Sequence, residues 1–212
     1  MIARRRPWRC YRKWRRSYQH KRSSTHKQEF ARGGAQSKIK RYWGGAKNVS
    51  WKHWDIVLGL KVNEQIQISS NALEALRVSI NSILQRELGK SNYRFRIRPK
   101  TFQKVRENRM LAFAGADRIQ SGMRNSFGRA VDICARVQAG QIICDVGTNI
   151  KNLDLVRERL RIGSMKIPCS SQTVILRYKN LKILKSAGLP LYDDKKRREI
   201  PLFELCLSSD KI

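Results

Sequence analysis

The sequence predicts an α+β fold, and three observations lead to that class. The segment SSNALEALRVSINSILQREL at 69–88 has the apolar spacing of an amphipathic helix, whereas YRFRIRP at 93–99 alternates between apolar and basic residues as a strand does. Two β-rich runs, VDICARV and QIICDV, then flank a glycine turn and precede a second, shorter helical pattern. Two helices set among strands with hairpin-like links are typical of α+β domains.

The first helix has the clearest signals of the chain. Asn71 is predicted to cap it, with Glu74 three residues later as in a capping box, and Gly89 is predicted to end it. Residues on one face of this helix are predicted to be core: Leu73, Leu76, Ile80, Ile83, Leu84 and Leu88.

The alternating run after this helix predicts a half-buried strand with a basic outer face. Its two faces are Tyr93, Phe95 and Ile97 on one side and Arg94, Arg96 and Arg98 on the other. A row of arginines is most often a solvated face. Residues 90–129, however, carry eleven basic residues against two acids, Glu107 and Asp117, which favours a role in binding.

A strand predicted from Phe102 to Met110 leads into the segment AGADRIQSGMRNSFG at 114–128, which has no helical or strand period. A loop of this length inside a domain is usually functional or disordered. After it, the two β-rich runs are expected to be linked by a turn around Gly140, and TVILRY at 173–178 is expected to form a closing strand.

The second helix is predicted from an apolar face formed by Leu153, Val156 and Leu160, and Gly163 is predicted to stop it. The last thirty residues mix charge runs such as DDKKRRE with short apolar pieces. They are interpreted as a peripheral tail.

The charge of the chain indicates a polyanionic partner. Lys and Arg number 46 against 16 Asp and Glu, so the net charge is +30 and the isoelectric point is near 10.9. Nucleic acid, an anionic membrane and an acidic protein are the candidate partners. Five Trp and six Tyr residues suit stacking on bases. No apolar run approaches the length of a transmembrane helix, so the sequence argues against a spanning segment.

Residues 1–50 hold sixteen Lys or Arg and one acid, Glu29, and are predicted to be a basic arm. Aromatic residues are interleaved with the charges in RPWRCYRKWRRSY, and such a segment is expected to order where phosphates neutralise it. A mitochondrial transit peptide and a nuclear localisation patch are alternative interpretations of this composition.

The sequence shows no pattern of catalytic or metal-binding residues. It contains no P-loop, its acids are few, and Asp117 is better explained as a turn cap or an ion-pair partner than as a general base. Five cysteines without a C-x-x-C pair favour a reducing compartment, and a zinc site built from His20, His26 and His53 is the less favoured alternative. These observations favour a binding protein that is not an enzyme and uses no cofactor.

Four segments resemble one protein family: RRRPWRCYR at 4–12, ISSNALEALR at 68–77, RMLAFAGADRIQSGMRNSFG at 109–128 and ARVQAGQII at 135–143. It is the large-subunit ribosomal protein family called L sixteen in bacteria and L ten e in archaea and eukaryotes, also known as the QM protein. The likeness covers about the first five-sixths of the chain and fades near residue 180. The N-terminal match weakens the transit-peptide interpretation and favours a divergent member of the eukaryotic cytosolic type.

The resemblance implies a fold and a set of partners. The fold is an α/β-hammerhead-like domain with two main helices against a mostly antiparallel sheet. The partners are large-subunit rRNA near the tRNA sites and the peptidyl transferase centre, P-site tRNA, neighbouring ribosomal proteins, and assembly and export factors. The implied location is the cytosolic ribosome, with passage through the nucleus as a precursor component. A non-ribosomal RNA-binding or assembly factor with the same fold is the alternative.

The expected organisation is a basic arm at 1–50, a globular α+β domain at 51–180 and a peripheral tail at 181–212. Residues expected to bind rRNA are Arg4, Arg5, Arg6, Trp8, Arg9, Tyr11, Arg12, Lys13, Arg15, Arg16, Lys21, Arg22, Arg94, Arg96 and Arg98.

A loop at 112–129 is expected to project from the domain, and in the family it points toward the acceptor end of P-site tRNA. Residues assigned to this loop and its base are Arg106, Asn108, Arg109, Gly115, Asp117, Arg118, Gln120, Gly122, Met123, Arg124, Gly128 and Arg129. The sequence RAVDIC at 129–134 departs from eukaryotic relatives, which usually have Pro and Gly there, so the geometry of the loop exit is expected to differ.

Overall fold

In the part of the chain that the structure describes, the fold consists of two helices and two sheets whose strands are mostly antiparallel. The computed structural model describes residues 11–13, 34–108, 124–180 and 187–200. The strands are β1 (Trp43–Gly45), β2 (Ile56–Val62), β3 (Ile66–Ser69), β4 (Tyr93–Ile97), β5 (Gln103–Glu107), β6 (Arg129–Val137), β7 (Ile142–Thr148), β8 (Ser171–Tyr178), β9 (Leu191–Asp193) and β10 (Arg198–Ile200). The helices are α1 (Ser70–Leu88) and α2 (Leu153–Ser164), and a short 3-10 turn, Ile150–Asn152, precedes α2.

The larger sheet has seven strands in the order β1-β4-β7-β2-β8-β9-β10, and the smaller has three in the order β3-β6-β5. All pairings are antiparallel except that of β8 with β9. The α+β class with two helices and a mostly antiparallel sheet is therefore confirmed.

The expected hairpin-like link between β6 and β7 is wrong, because these strands belong to different sheets. At the turn, Gly140 has a φ of 77° and its amide donates to the carbonyl of Val62 at 2.7 Å. The amide of Val62 in turn donates to the carbonyl of Gln141 at 3.1 Å. The chain thus crosses between sheets beside the end of β2, and local sequence carries no signal that separates such a crossing from a hairpin.

Both helices pack on one face of the seven-stranded sheet, and α1 also packs against α2. Of the predicted apolar face of α1, Leu73, Leu76, Ile80 and Leu84 are fully buried, whereas Ile83 and Leu88 are partly exposed. Gly163 does not stop α2 but lies buried in its last turn, and the helix ends one residue later. A Cβ at this position would lie 2.8 Å from Cδ1 of Ile80, so the glycine lets the two helices approach closely.

The predicted N-cap of α1 is also corrected. Ser69 is the cap residue, and its hydroxyl accepts a hydrogen bond from the amide of Ala72 at 3.2 Å. Glu74 does not reach back to the cap, because it accepts two hydrogen bonds from Arg77 one turn later. Gly89 ends the helix as predicted. The helix thus begins two residues earlier than the capping pattern indicates.

Parts of both predicted flanking segments belong to the folded domain. In the predicted arm, Ile39 is buried in the core and β1 pairs with β4. In the predicted tail, β9 and β10 extend the large sheet beyond β8, which is therefore not a closing strand. Tyr192 is buried there and its hydroxyl donates to the carbonyl of Gly140 at 2.6 Å. In the predicted tail, the few apolar residues among the charges include Leu191 and Tyr192, which are buried where β9 joins the large sheet.

Neither described helix is both long enough and apolar enough to span a bilayer.

Candidate nucleic-acid interface

The alternation of β4 places three arginines on the face of the large sheet that the helices leave uncovered. Tyr93, Phe95 and Ile97 are buried, and these side chains lie in the helix-covered core, as predicted. Arg94, Arg96 and Arg98 lie on the other face, because successive side chains of a strand point to opposite sides.

Two tryptophans hold the guanidinium groups of Arg94 and Arg96. Cζ of Arg94 lies 4.3 Å from the ring centroid of Trp51 and 5.3 Å from that of Trp43. The corresponding distances for Arg96 are 5.1 Å and 5.4 Å. We refer to Trp43, Trp51, Arg94 and Arg96 as the arginine–tryptophan cluster. Stacking of this kind fixes cations at a protein surface without neutralising them.

Arg94 is the most buried of the three arginines, at 9% exposure. It donates a hydrogen bond to the backbone carbonyl of Val49, and it forms no ion pair with any residue in the described part of the chain. Burial, and then the nearby charge of Arg96, lower the pKa of Arg94. The cluster therefore keeps an excess of positive charge in a partly buried position.

The buried carboxylate of Asp145, on β7, neutralises part of the positive charge of the arginines. Its side chain is 1% exposed and accepts hydrogen bonds from Nε of Arg96 at 3.0 Å and from Nε of Arg98 at 2.8 Å. Arg98 also pairs with the exposed carboxylate of Asp194, which precedes β10. Burial by itself lowers the pKa of Arg98, but the hydrogen bonds and charges of Asp145 and Asp194 outweigh it, so the pKa is raised.

Sequence reasoning identified the three arginines but missed Trp43, Trp51 and Asp145. The available signal for Asp145 was a single acid inside the otherwise apolar run QIICDV. A charge in a buried strand requires a partner of opposite sign, and the arginine row was the obvious candidate. Trp43 carries no such signal, because β1 is only three residues long, and Trp51 lies in a turn outside the strands.

A cleft of about 940 Å³ opens beside the cluster, between β1 and the segment that follows β4. Among the described residues that line it there is no acid. They are Lys40, Arg41, Tyr42, Trp43, Lys47, Arg96, Ile97, Arg98 and Lys100. Six of the nine are cations, so the cleft suits an anionic ligand.

The base of the predicted loop lies where β5 ends and β6 begins. Glu107 pairs with Arg129 as the last register pair. A Cβ on Gly128 would lie 2.4 Å from the carbonyl carbon of Glu107, so only glycine fits between the two backbones. Arg106 stacks on the ring of Phe127 at 4.5 Å and donates to the carbonyl of Gly128 at 3.5 Å. Gly128 therefore has a structural role at the base of the loop.

Few of the other predicted loop residues lie within the described chain. Arg124 and Arg129 are exposed, and Asn108 is partly buried. The remaining ones lie outside the described residues: Arg109, Gly115, Asp117, Arg118, Gln120, Gly122 and Met123.

Three predicted rRNA-binding residues of the arm are described, and two of them contact the domain. Tyr11 is buried and packs with Val105 and Cys134 of the small sheet. Arg12 forms an ion pair with Glu64, whereas Lys13 is exposed. The other arm residues lie outside the described part: Arg4, Arg5, Arg6, Trp8, Arg9, Arg15, Arg16, Lys21 and Arg22.

No cluster of metal-ligand side chains was found among the residues that the structure describes. His53 is exposed, and His20 and His26 lie outside the described ranges. Cys134 and Cys144 are buried free thiols, and burial raises the pKa of the Cys169 thiol to about 11. Thiolate chemistry at neutral pH is not favoured at Cys169.

Comparison with known proteins shows the family to which the chain belongs. Residues 17–174 match the family model described as "Ribosomal protein L16p/L10e". A protein of Hyperthermus butylicus named "Large ribosomal subunit protein uL16" is 38% identical over 170 residues, which are 80% of this chain and 92% of that protein. Its namesake from Methanococcus maripaludis is 39% identical over 177 residues, which are 83% and 96% of the two chains. The chain therefore belongs to the ribosomal protein L16p/L10e family.

Proposed function

We propose that this protein is a structural constituent of the large ribosomal subunit of cytosolic ribosomes. In this role it binds large-subunit rRNA near the tRNA sites and the peptidyl transferase centre. The observation that carries the proposal is the excess of positive charge on the arginine–tryptophan cluster and the adjacent cleft, which Asp145 and Asp194 neutralise only in part. The names of its relatives and a net charge of +30 support the same role.

The loop 112–129 is proposed to reach toward P-site tRNA. Support comes from its base, where Arg106, Phe127 and Gly128 hold the two strand ends together. A fixed base lets a long loop project in a defined direction from a rigid scaffold. Arg118 and Arg124 are proposed to donate to phosphates, because a guanidinium presents forked donors of suitable geometry.

Neighbouring ribosomal proteins and the factors of late subunit maturation are proposed as further partners. Passage through the nucleus as a component of precursor particles belongs to the same proposal. The protein has no catalytic role in it.

Sedimentation provides the first test. We expect one copy of the protein in each mature large subunit after centrifugation through a high-salt gradient. Presence in precursor particles alone would refute the structural role and support the alternative, an assembly factor with the same fold.

Salt dependence provides the second test. If about six phosphates are neutralised, the logarithm of the association constant for rRNA fragments should fall with log salt at a slope of about −4 to −5. A slope flatter than about −2 would contradict the proposed phosphate contacts.

Loop variants test the tRNA contact separately from the fold. Arg118→Ala and Arg124→Ala should change stability by no more than about 0.5 kcal/mol, because neither residue belongs to an apolar pattern in the sequence. We expect the defect in tRNA engagement or in the last maturation step, measured on purified subunits. Unchanged translation in both variants would refute the role of the loop.

A further inference from the structure

The cleft beside β1 has a rim of cations that have no ion-pair partner in the described chain. Lys40, Arg41, Lys47 and Lys100 are all exposed, and no described carboxylate lies within ion-pairing distance of them. We refer to these four residues as the cation rim. Cations gathered around a concavity focus positive potential there and attract anionic groups of a ligand.

Two aromatic residues, Tyr42 and Trp43, line the cleft, and Trp43 is the more exposed of the two. Trp43 lines the cleft and is 43% exposed, although it contacts the guanidinium groups of Arg94 and Arg96. Its backbone is fixed by pairing with Arg96 across β1 and β4. An indole that is held in place by the protein and still open to a basic cleft is a platform on which a base can stack.

The floor of the cleft is held by a hydrogen-bond network. The carbonyl of Tyr42 accepts from the amide of Ile97 at 2.8 Å, and its hydroxyl lies 3.2 Å from the hydroxyl of Thr101. Thr101 is also bonded to Ser37 at 2.8 Å. The cleft is therefore preformed, and its volume of about 940 Å³ is typical of sites for small organic ligands.

We propose that this cleft binds one unpaired RNA nucleotide, whose base stacks on Trp43 while its flanking phosphates contact the cation rim. The proposal rests on the proposed function, since it names the form of RNA that this surface takes. A base inside a duplex cannot bind in this way, because its faces are covered by neighbouring bases. The carboxylates of an acidic peptide would contact the cation rim but would leave the exposed ring of Trp43 without a stacking partner.

Photocrosslinking of the full-length native protein tests the site directly. The probe is a six-nucleotide oligouridylate that carries one 5-iodouridine, and the crosslinked peptide is identified by mass spectrometry. We expect a crosslink at Trp43 that is absent when the 5-iodouridine is base-paired inside a longer, GC-rich RNA duplex. Crosslinks that never include Trp43 would overturn the proposal, and this measurement requires no variant to fold.

Affinity measurements on variants test the stacking energy. Trp43→Ala should weaken binding of the oligouridylate by about 5- to 150-fold, the loss that corresponds to one base–aromatic stack. Binding of a longer, GC-rich RNA duplex should not change, and Trp43→Phe should retain most of the affinity for the single strand. Equal losses for single strand and duplex would show that the cleft acts through charge alone and would overturn the proposal.

The outcomes separate this inference from the proposed function. If Trp43→Ala binds the single strand as the native protein does while rRNA binding stays salt-dependent, the nucleotide site is refuted and the ribosomal role stands. Native protein that binds no RNA at all would refute both. Displacement of the oligouridylate from the crosslinking site by polyglutamate of equal charge, at equal concentration, would overturn the nucleotide site in favour of an acidic protein ligand.

Discussion

Replacement of Asp145 by Asn should destabilise the fold more than any other single change to an acidic residue of the arginine-bearing face. The carboxylate is 1% exposed, and it pairs with Arg96 and Arg98, whose side chains are 30% and 25% exposed. Removing one partner of a buried ion pair costs about 3–5 kcal/mol. Because both guanidinium groups keep some contact with water, we expect about 2–3 kcal/mol for Asp145→Asn.

The measurement is the free energy of unfolding from denaturant titration, together with the melting temperature. A loss of this size corresponds to a decrease of roughly 4–12 °C for a chain of this length. Asp194→Asn is the matched control, because Asp194 pairs with the same Arg98 but is 46% exposed. That variant should lose less than about 1 kcal/mol, as exposed ion pairs do. Equal losses in the two variants would refute the argument from burial.

Three further changes test other parts of the fold. Leu76→Ala, on the fully buried face of α1, should cost about 2–5 kcal/mol in denaturant titrations, and a loss below about 1 kcal/mol would contradict the packing of this face. Gly128→Ala would place a Cβ 2.4 Å from the Glu107 backbone, so we expect a cost of about 1–3 kcal/mol and faster amide exchange at the adjoining ends of β5 and β6 alone. The hydrogen bond from Lys179 lowers the pKa of Asp55 from 3.8, against the effect of burial, so this contribution to stability is present above pH 3.8 and is lost as pH falls through the lower folded pKa. Asp55→Asn should therefore flatten the acid side of the melting-temperature profile, whereas an unchanged profile would show that the pair contributes nothing.

The elements whose side chains form a periodic pattern could be predicted from the sequence. The α1 stripe of Leu73, Leu76, Ile80 and Leu84 and the alternation of β4 both follow from burial of one face, which local spacing records directly. The ends of the helices were predicted less accurately than their buried faces. Ser and Asn are both residue types that often cap helices. In the structure the backbone is extended at Ser69 and helical from Ser70, so Ser69 is the cap.

The sequence also determined the chemical character of the protein. Its charge of +30, the arginine row and the motif at 109–128 indicated an RNA-binding member of a ribosomal family, and the family itself is confirmed. Charge and local motifs are properties of composition and order along the chain, so they do not depend on how distant segments meet.

Only the tertiary structure decided which distant residues form the candidate site. Trp43, Trp51, Arg94 and Asp145 come from four separate segments, and strand pairing between β1, β4 and β7 brings three of them together. Pairing of β6 with β3 and β5 separates it from the sheet of β7, and pairing of β9 with β8 adds β9 and β10 to the edge of the larger sheet. The physical reason is that strand partners are selected by burial and backbone hydrogen bonding over the whole domain, and these long-range terms leave no periodic signal in a three-residue strand.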